Sequence, residues 1–124
     1  MAFSYYTDEI DQLPVICLEG SLIERHEAQD LLEETNELIA EGKIRLILDL
    51  SELEYLNSSG LNVLINIFTR VRNAGGEVVM CHLNEKLIRL LVITKLDAVI
   101  QQQPTREEAA AILLSSGQPD QSQS

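Results

Sequence analysis

Ile44-Arg45-Leu46-Ile47-Leu48-Asp49-Leu50 is an apolar run broken only by Arg45 and Asp49. A strand with one wet face alternates apolar and polar residues. A strand apolar at consecutive positions has no wet face and belongs in the middle of a sheet covered by helices on both sides. A short acidic stretch follows, expected as a loop, and ends in Leu56-Asn57-Ser58-Ser59-Gly60-Leu61, where small polar residues open a helix. The rest of the chain reads as a frame for that junction.

Upstream, Phe3 to Ile10 and Leu13 to Glu19 read as two strands joined by a short polar connection, an antiparallel hairpin, with Gly20 as the stop. Pro14 lies near the start of the second strand, where a missing N–H does least harm. From Glu24 to Glu41 the period becomes helical, with Ala28, Leu31, Leu32, Thr35, Leu38 and Ile39 on one face and Gly42 beyond the end. The opposite face carries Glu27, Asp30, Glu33, Glu34 and Glu37; it serves either as a solvated exterior or as a docking surface for a basic partner. Downstream, a helix is expected from about Ser59 to Ala74, a strand over Val78-Val79-Met80-Cys81, and a helix from Glu85 to about Thr94. A short strand at Val99-Ile100 follows. The last helix runs from Thr105 to Leu114, with Thr105 capped reciprocally by Glu108. This alternation defines an α/β fold: a small mixed, mostly parallel sheet of about five strands, opened by the hairpin, with four helices. Residues 1–114 form one domain, and 115–124, rich in Gln, Ser, Gly and Pro, read as a flexible C-terminal tail.

Composition excludes several functions. With 124 residues and 45% apolar content the chain has enough for one core, and with 4% aromatics and no Trp that core is aliphatic. A net charge of −11 argues against direct nucleic-acid binding or an anionic membrane as partner. No apolar run is long enough to span a bilayer and no signal-peptide pattern opens the chain, so the expected location is cytoplasmic. Cys17 and Cys81 sit in strand-like runs and read as buried thiols. His26 and His82 read as surface or packing residues. There is no nucleophile elbow, no P-loop, no metal-ligand spacing and no cofactor box, so neither a catalytic residue nor a cofactor is expected.

The chemistry is concentrated at Asn57, Ser58, Ser59 and Gly60. On one reading these residues only cap a helix. On the other, the free N–H groups and positive dipole at a helix start suit a phosphate, and Gly60 permits close backbone approach. The following helix favours the second. Leu61, Leu64, Ile65, Phe68 and Val71 form the expected core face, and Asn62, Asn66, Thr69 and Asn73 an uncharged polar strip, with Val63 and Ile67 between them. A neutral polar strip flanked by aliphatics suits a reversible protein contact. The candidate partner-binding residues are therefore Asn57, Ser58, Ser59, Gly60, Asn62, Val63, Asn66 and Ile67. Phosphorylating a serine there adds about −1.5 to −2 charge, beside Glu52 and Glu54, and opposes a docked partner.

Leu48-Asp49-Leu50, Leu56-Asn57-Ser58-Ser59-Gly60-Leu61, Gly75-Gly76-Glu77-Val78-Val79-Met80-Cys81 and the Leu18-Glu19-Gly20-Ser21-Leu22 turn together resemble the STAS domain of bacterial anti-sigma factor antagonists, over about residues 3 to 114. The resemblance implies a mixed sheet with helices mainly on one side. It also implies an anti-sigma factor serine kinase as partner, phosphorylation at Ser58 ending the complex, and a serine phosphatase restoring it. The chain departs from the family pattern at Asn57, where an Asp is usual, and at Ile23, where many members carry an acid. Those departures favour the alternative, a non-phosphorylated STAS adaptor in a larger signalling assembly or lipid transporter. Nucleotide or small-ligand sensing lacks a glycine-rich loop.

Overall fold

The computed structural model describes residues 3–116. Its centre is β3, Arg45–Leu56, in a five-stranded sheet of order β1-β2-β3-β4-β5 with β1 Ser4–Ile10, β2 Leu13–Leu22, β4 Glu77–Cys81 and β5 Gln101–Gln103. The β1–β2 pair is antiparallel and the other three pairings are parallel, as expected. Asp11 and Gln12 both have positive φ, 51° and 69°, the twist that lets a two-residue turn join antiparallel strands without splaying them.

Alternate residues of β3 serve two cores. Leu46, Leu48 and Leu50 join Ile16, Leu18, Val78 and Met80 beneath α1 (Gln29–Ala40), α2 (Ser58–Asn73) and α3 (Glu85–Ile93). Ile47 joins Val15, Cys17, Val79 and Cys81 beneath α4 (Arg106–Ser116), which offers Ala109, Ala110 and Leu113. Each fully buried aliphatic side chain contributes about 2 kcal/mol, so neither face can be left wet. Three helices cover one face and one the other. Both cysteines are buried and unpaired.

Five local expectations change. The stretch after Leu50 is not a loop: β3 continues to Leu56, paired with the end of β2 through Glu19↔Glu52, Gly20↔Leu53, Ser21↔Tyr55 and Leu22↔Leu56. Register shifts between Cys17 and Glu19 and between Gly20 and Ser21 accommodate extra β3 residues, and bulges of this kind bend a strand without ending it. Gly20 accordingly does not stop β2; its φ of 84° places it within that irregularity. The first helix begins with a separate 3-10 turn, Arg25–Ala28, before α1. The fifth strand is Gln101–Gln103, not Val99-Ile100: Val99 is half exposed after a 3-10 turn over Leu96–Ala98, and Ile100 fills the core. α4 continues through Ser115 to Ser116, and the remaining tail residues, 117–124, lie outside the described residues.

Candidate functional site

The end of β3 delivers the chain to α2 through Asn57, whose backbone is extended (φ −105°, ψ −167°). Its Oδ1 accepts from the Gly60 N–H at 2.9 Å, capping the helix. That contact fixes the orientation of the amide, because only the oxygen can accept from an N–H. The other end, Nδ2, donates to the Ile23 carbonyl at 3.1 Å. Asn57 thus ties the helix start to the segment leaving β2, using a donor that an aspartate lacks.

With Asn57 as cap, Ser58 and Ser59 are exposed residues of the first turn of α2, a turn without acidic side chains. Among the described residues, none donates to or accepts from the Ser58 hydroxyl through a side chain. The free N–H groups and dipole of a 16-residue helix point toward this turn. Glu52, Glu54 and Tyr55 (53% exposed) precede it, and Ile23 (38% exposed) follows β2 across the ladder.

Gly60 serves the fold. It is buried, and a Cβ there would lie 2.1 Å from the Leu22 carbonyl oxygen and 3.0 Å from Leu56 Cβ. The close approach expected for a ligand is made by the chain's own β2 backbone.

The polar strip is only partly as expected. Asn62, Thr69 and Asn73 are exposed, but Asn66 is half-buried and accepts from Arg70 Nε at 2.8 Å, while Arg70 Nη1 reaches Asn36 Oδ1 on α1 at 2.8 Å. Asn66 therefore helps clamp α2 to α1, and the strip includes a cation. Val63 and Ile67 are not surface residues: they are 2% and 0% exposed. Because α2 packs against α1 and the preceding 3-10 turn as well as the sheet, its buried arc centres on Leu64, Ile67 and Val71. Ile65 and Phe68, expected in that arc, are displaced to its half-buried edge, where the Arg72 guanidinium lies 5.3 Å from the Phe68 ring. The residues brought together and accessible are Asn57, Ser58, Ser59 and Asn62.

A second polar centre lies under α4. Sheet register aligns Tyr6, Cys17, Asp49, Cys81 and Gln103 as one row across all five strands. Arg106 covers it, with Nε donating to Asp49 Oδ2 at 2.7 Å, Nη1 to Asp8 Oδ2 at 2.9 Å and Nη2 to Cys17 Sγ at 3.0 Å. Burial raises the Asp49 pKa, but hydrogen bonds from the Ser51 N–H and Arg106 outweigh it and hold the carboxyl below its ordinary value. The hydrogen bond from Arg106 likewise lowers Asp8. Burial pushes the Cys81 thiol up to about 12, so by itself the thiol keeps its proton. Asp49 was visible in the sequence as the acid inside an apolar run, a sign of a buried partner; which cation supplies that partner, 57 residues away, was not.

Comparison with known proteins agrees with this geometry. The family model described as the STAS domain matches residues 6–109. A Bordetella bronchiseptica protein named as an anti-sigma factor antagonist, BtrV, is 31% identical over 104 residues, covering 84% of this chain and 89% of the relative. The crystal structure of a Thermotoga maritima protein also named as an anti-sigma factor antagonist superposes with a TM-score of 0.77 at 25% identity, covering 89% of this chain and 94% of the other. Bacillus SpoIIAA in its phosphorylated form shares the fold, with a TM-score of 0.68 at 17% identity over 88% and 98% of the two chains.

Proposed function

The chain belongs to the STAS domain family, as a regulatory binding protein of the anti-sigma factor antagonist kind and not an enzyme, and from that membership we propose that it binds an anti-sigma factor serine kinase when unphosphorylated and is released by phosphorylation of Ser58. A serine phosphatase resets the switch, and the output is sigma-factor-dependent transcription. Partner contact is carried by Asn57, Ser58, Ser59 and Asn62. Among the described residues no helix is long and apolar enough to cross a membrane, which is compatible with a cytoplasmic partner.

The observation that carries the reading is the division of labour at the helix start. Asn57 performs the capping, so the exposed Ser58 hydroxyl has no structural duty that modification would disturb. A phosphate at this position adds about −1.5 to −2 charge at the positive end of α2, where the fold tolerates it. A partner docked over Asn62 and Ser58 faces an unpaired, partly desolvated dianion, and a loss of about 3 kcal/mol lowers affinity more than a hundredfold.

The test pairs this protein with a candidate anti-sigma factor serine kinase from the same genome. Wild type incubated with that kinase and ATP should gain one phosphate by intact mass, and Ser58→Ala none. Ser58→Asp should stay folded and bind more than about a hundredfold more weakly. Tight binding by Ser58→Asp overturns the switch. Absence of added phosphate moves the assignment to a constitutive adaptor, a reading that the engaged Asn57 amide favours.

A further inference from the structure

On the sheet face opposite α2, we propose that Asp49, Cys81 and His82 bind a divalent transition-metal ion of the zinc class, with one coordination position left open. The assignment is independent of the Ser58 switch.

Donor atoms of these residues all lie within 4.8 Å of one another. Sequence spacing hides the group, since Asp49 meets Cys81 only through parallel register between β3 and β4. His82 follows directly, with a φ of 59° that non-glycine residues rarely adopt, and this turn brings the imidazole back toward its neighbours. One oxygen, one sulfur and one nitrogen form a zinc-type donor set. Bonds of about 2.0 to 2.3 Å place tetrahedral ligand atoms roughly 3.3 to 3.8 Å apart, so the widest separation must close by about 1 Å. Asp49 and Cys81 are buried in the sheet, and exposed His82 is the donor free to make that adjustment.

The surroundings are those of a supported ligand set. The Asp49 carboxylate is already oriented by the Ser51 N–H at 3.0 Å, by the Ser51 side chain and by Arg106 Nε at 2.7 Å. Two carboxylates, Asp8 and Asp49, face one guanidinium. When Cys81 coordinates, its S–H bond breaks, the proton leaves to solvent and the sulfur electron pair forms the metal bond. The dication then offsets the thiolate and the excess carboxylate charge. Of the three donors His82 lines an open cavity of about 620 Å³, together with Ser51 in the middle of β3, Asn84 beyond β4, and Gln102 and Gln103 of β5. An ion entering from this side meets His82 first, with buried Asp49 and Cys81 behind it. Three protein ligands with an open position distinguish an exchangeable or substrate-binding site from a closed structural one.

The experiment uses the full chain without a histidine tag, reduced and metal-stripped, titrated with cobalt(II) as the spectroscopic probe. Wild type should bind one equivalent, with thiolate-to-cobalt charge-transfer absorption and tetrahedral visible bands, and zinc(II) should displace the cobalt. Cys81→Ser should abolish the charge-transfer band, Cys17→Ser should retain it, and His82→Ala, a change at an exposed position, should weaken binding at least about tenfold. The proposal falls if wild type shows no thiolate–cobalt band at millimolar cobalt, if the band survives Cys81→Ser, or if His82→Ala binds as tightly as wild type. Should Cys81→Ser fail to fold, the His82→Ala comparison decides.

Discussion

Asn57 holds two elements with one side chain, and its substitutions separate the two contacts. Asn57→Ala removes both the Gly60 cap and the bond to the Ile23 carbonyl, and should cost about 2 kcal/mol. Asn57→Asp keeps the cap and adds a charge favourable to the dipole, but turns an oxygen toward the Ile23 carbonyl. Its cost should be under about 1 kcal/mol. Urea denaturation gives both values, and hydrogen exchange should show residues 21–27 opening faster in both variants. Equal losses would mean that the Gly60 cap contributes nothing and that the whole cost is the lost Ile23 bond. The cap itself was legible from Asn57-Ser58-Ser59-Gly60, because N-capping is local chemistry. The Ile23 bond was not, since it depends on β2 and β3 running in parallel beyond two bulges.

At the scale of elements, α2 shows where periodicity was sufficient and where it was not. It predicted the helix and most of its apolar positions, but centred the buried arc on one neighbour, the sheet. The second neighbour, α1, draws Val63 and Ile67 inward. Ile67→Ala should therefore cost about 2 to 5 kcal/mol by thermal or urea unfolding, whereas Asn62→Lys should change stability by no more than about 0.5 kcal/mol while weakening the proposed kinase complex. An Ile67→Ala protein of wild-type stability would return that residue to the surface. Gly60→Ala tests the seat of the same helix. A methyl group against the Leu22 carbonyl requires α2 to lift from β2, so the loss should be about 3 kcal/mol or more. The strand errors have the same origin as the helix error. Ser51–Leu56 looks like a loop because bulges break its alternation, and Gln101–Gln103 has little intrinsic β preference yet pairs with β4 because Ile100 anchors it in the core.

Across the whole molecule the sheet divides the labour. One face carries α2 and the Ser58 turn within the larger core, and the other carries α4 over a smaller core. Ala109 and Ala110 let α4 lie close to the strands but bury little area, so Arg106 must do much of the joining, reaching Asp8 on β1, Cys17 on β2 and Asp49 on β3. Only Asp49 among its carboxylate partners is buried, at 3% exposed, so the energetic weight falls there. Arg106→Met leaves that carboxylate without its cation, and breaking a buried pair in this way costs about 3 to 5 kcal/mol. Adding Asp49→Asn removes the stranded charge and should restore most of the loss, which a double-mutant cycle in urea would resolve. If the single and double variants are equally unstable, the cost lies in lost Arg106 packing and not in the charge. Because α4 and α2 lie on opposite faces, Arg106→Met, under conditions where it remains folded, should bind the proposed kinase partner with wild-type affinity. Weakened binding by a folded Arg106→Met would show instead that the central strand couples the two faces, with Asp49 at one end of the path and Asn57 at the other.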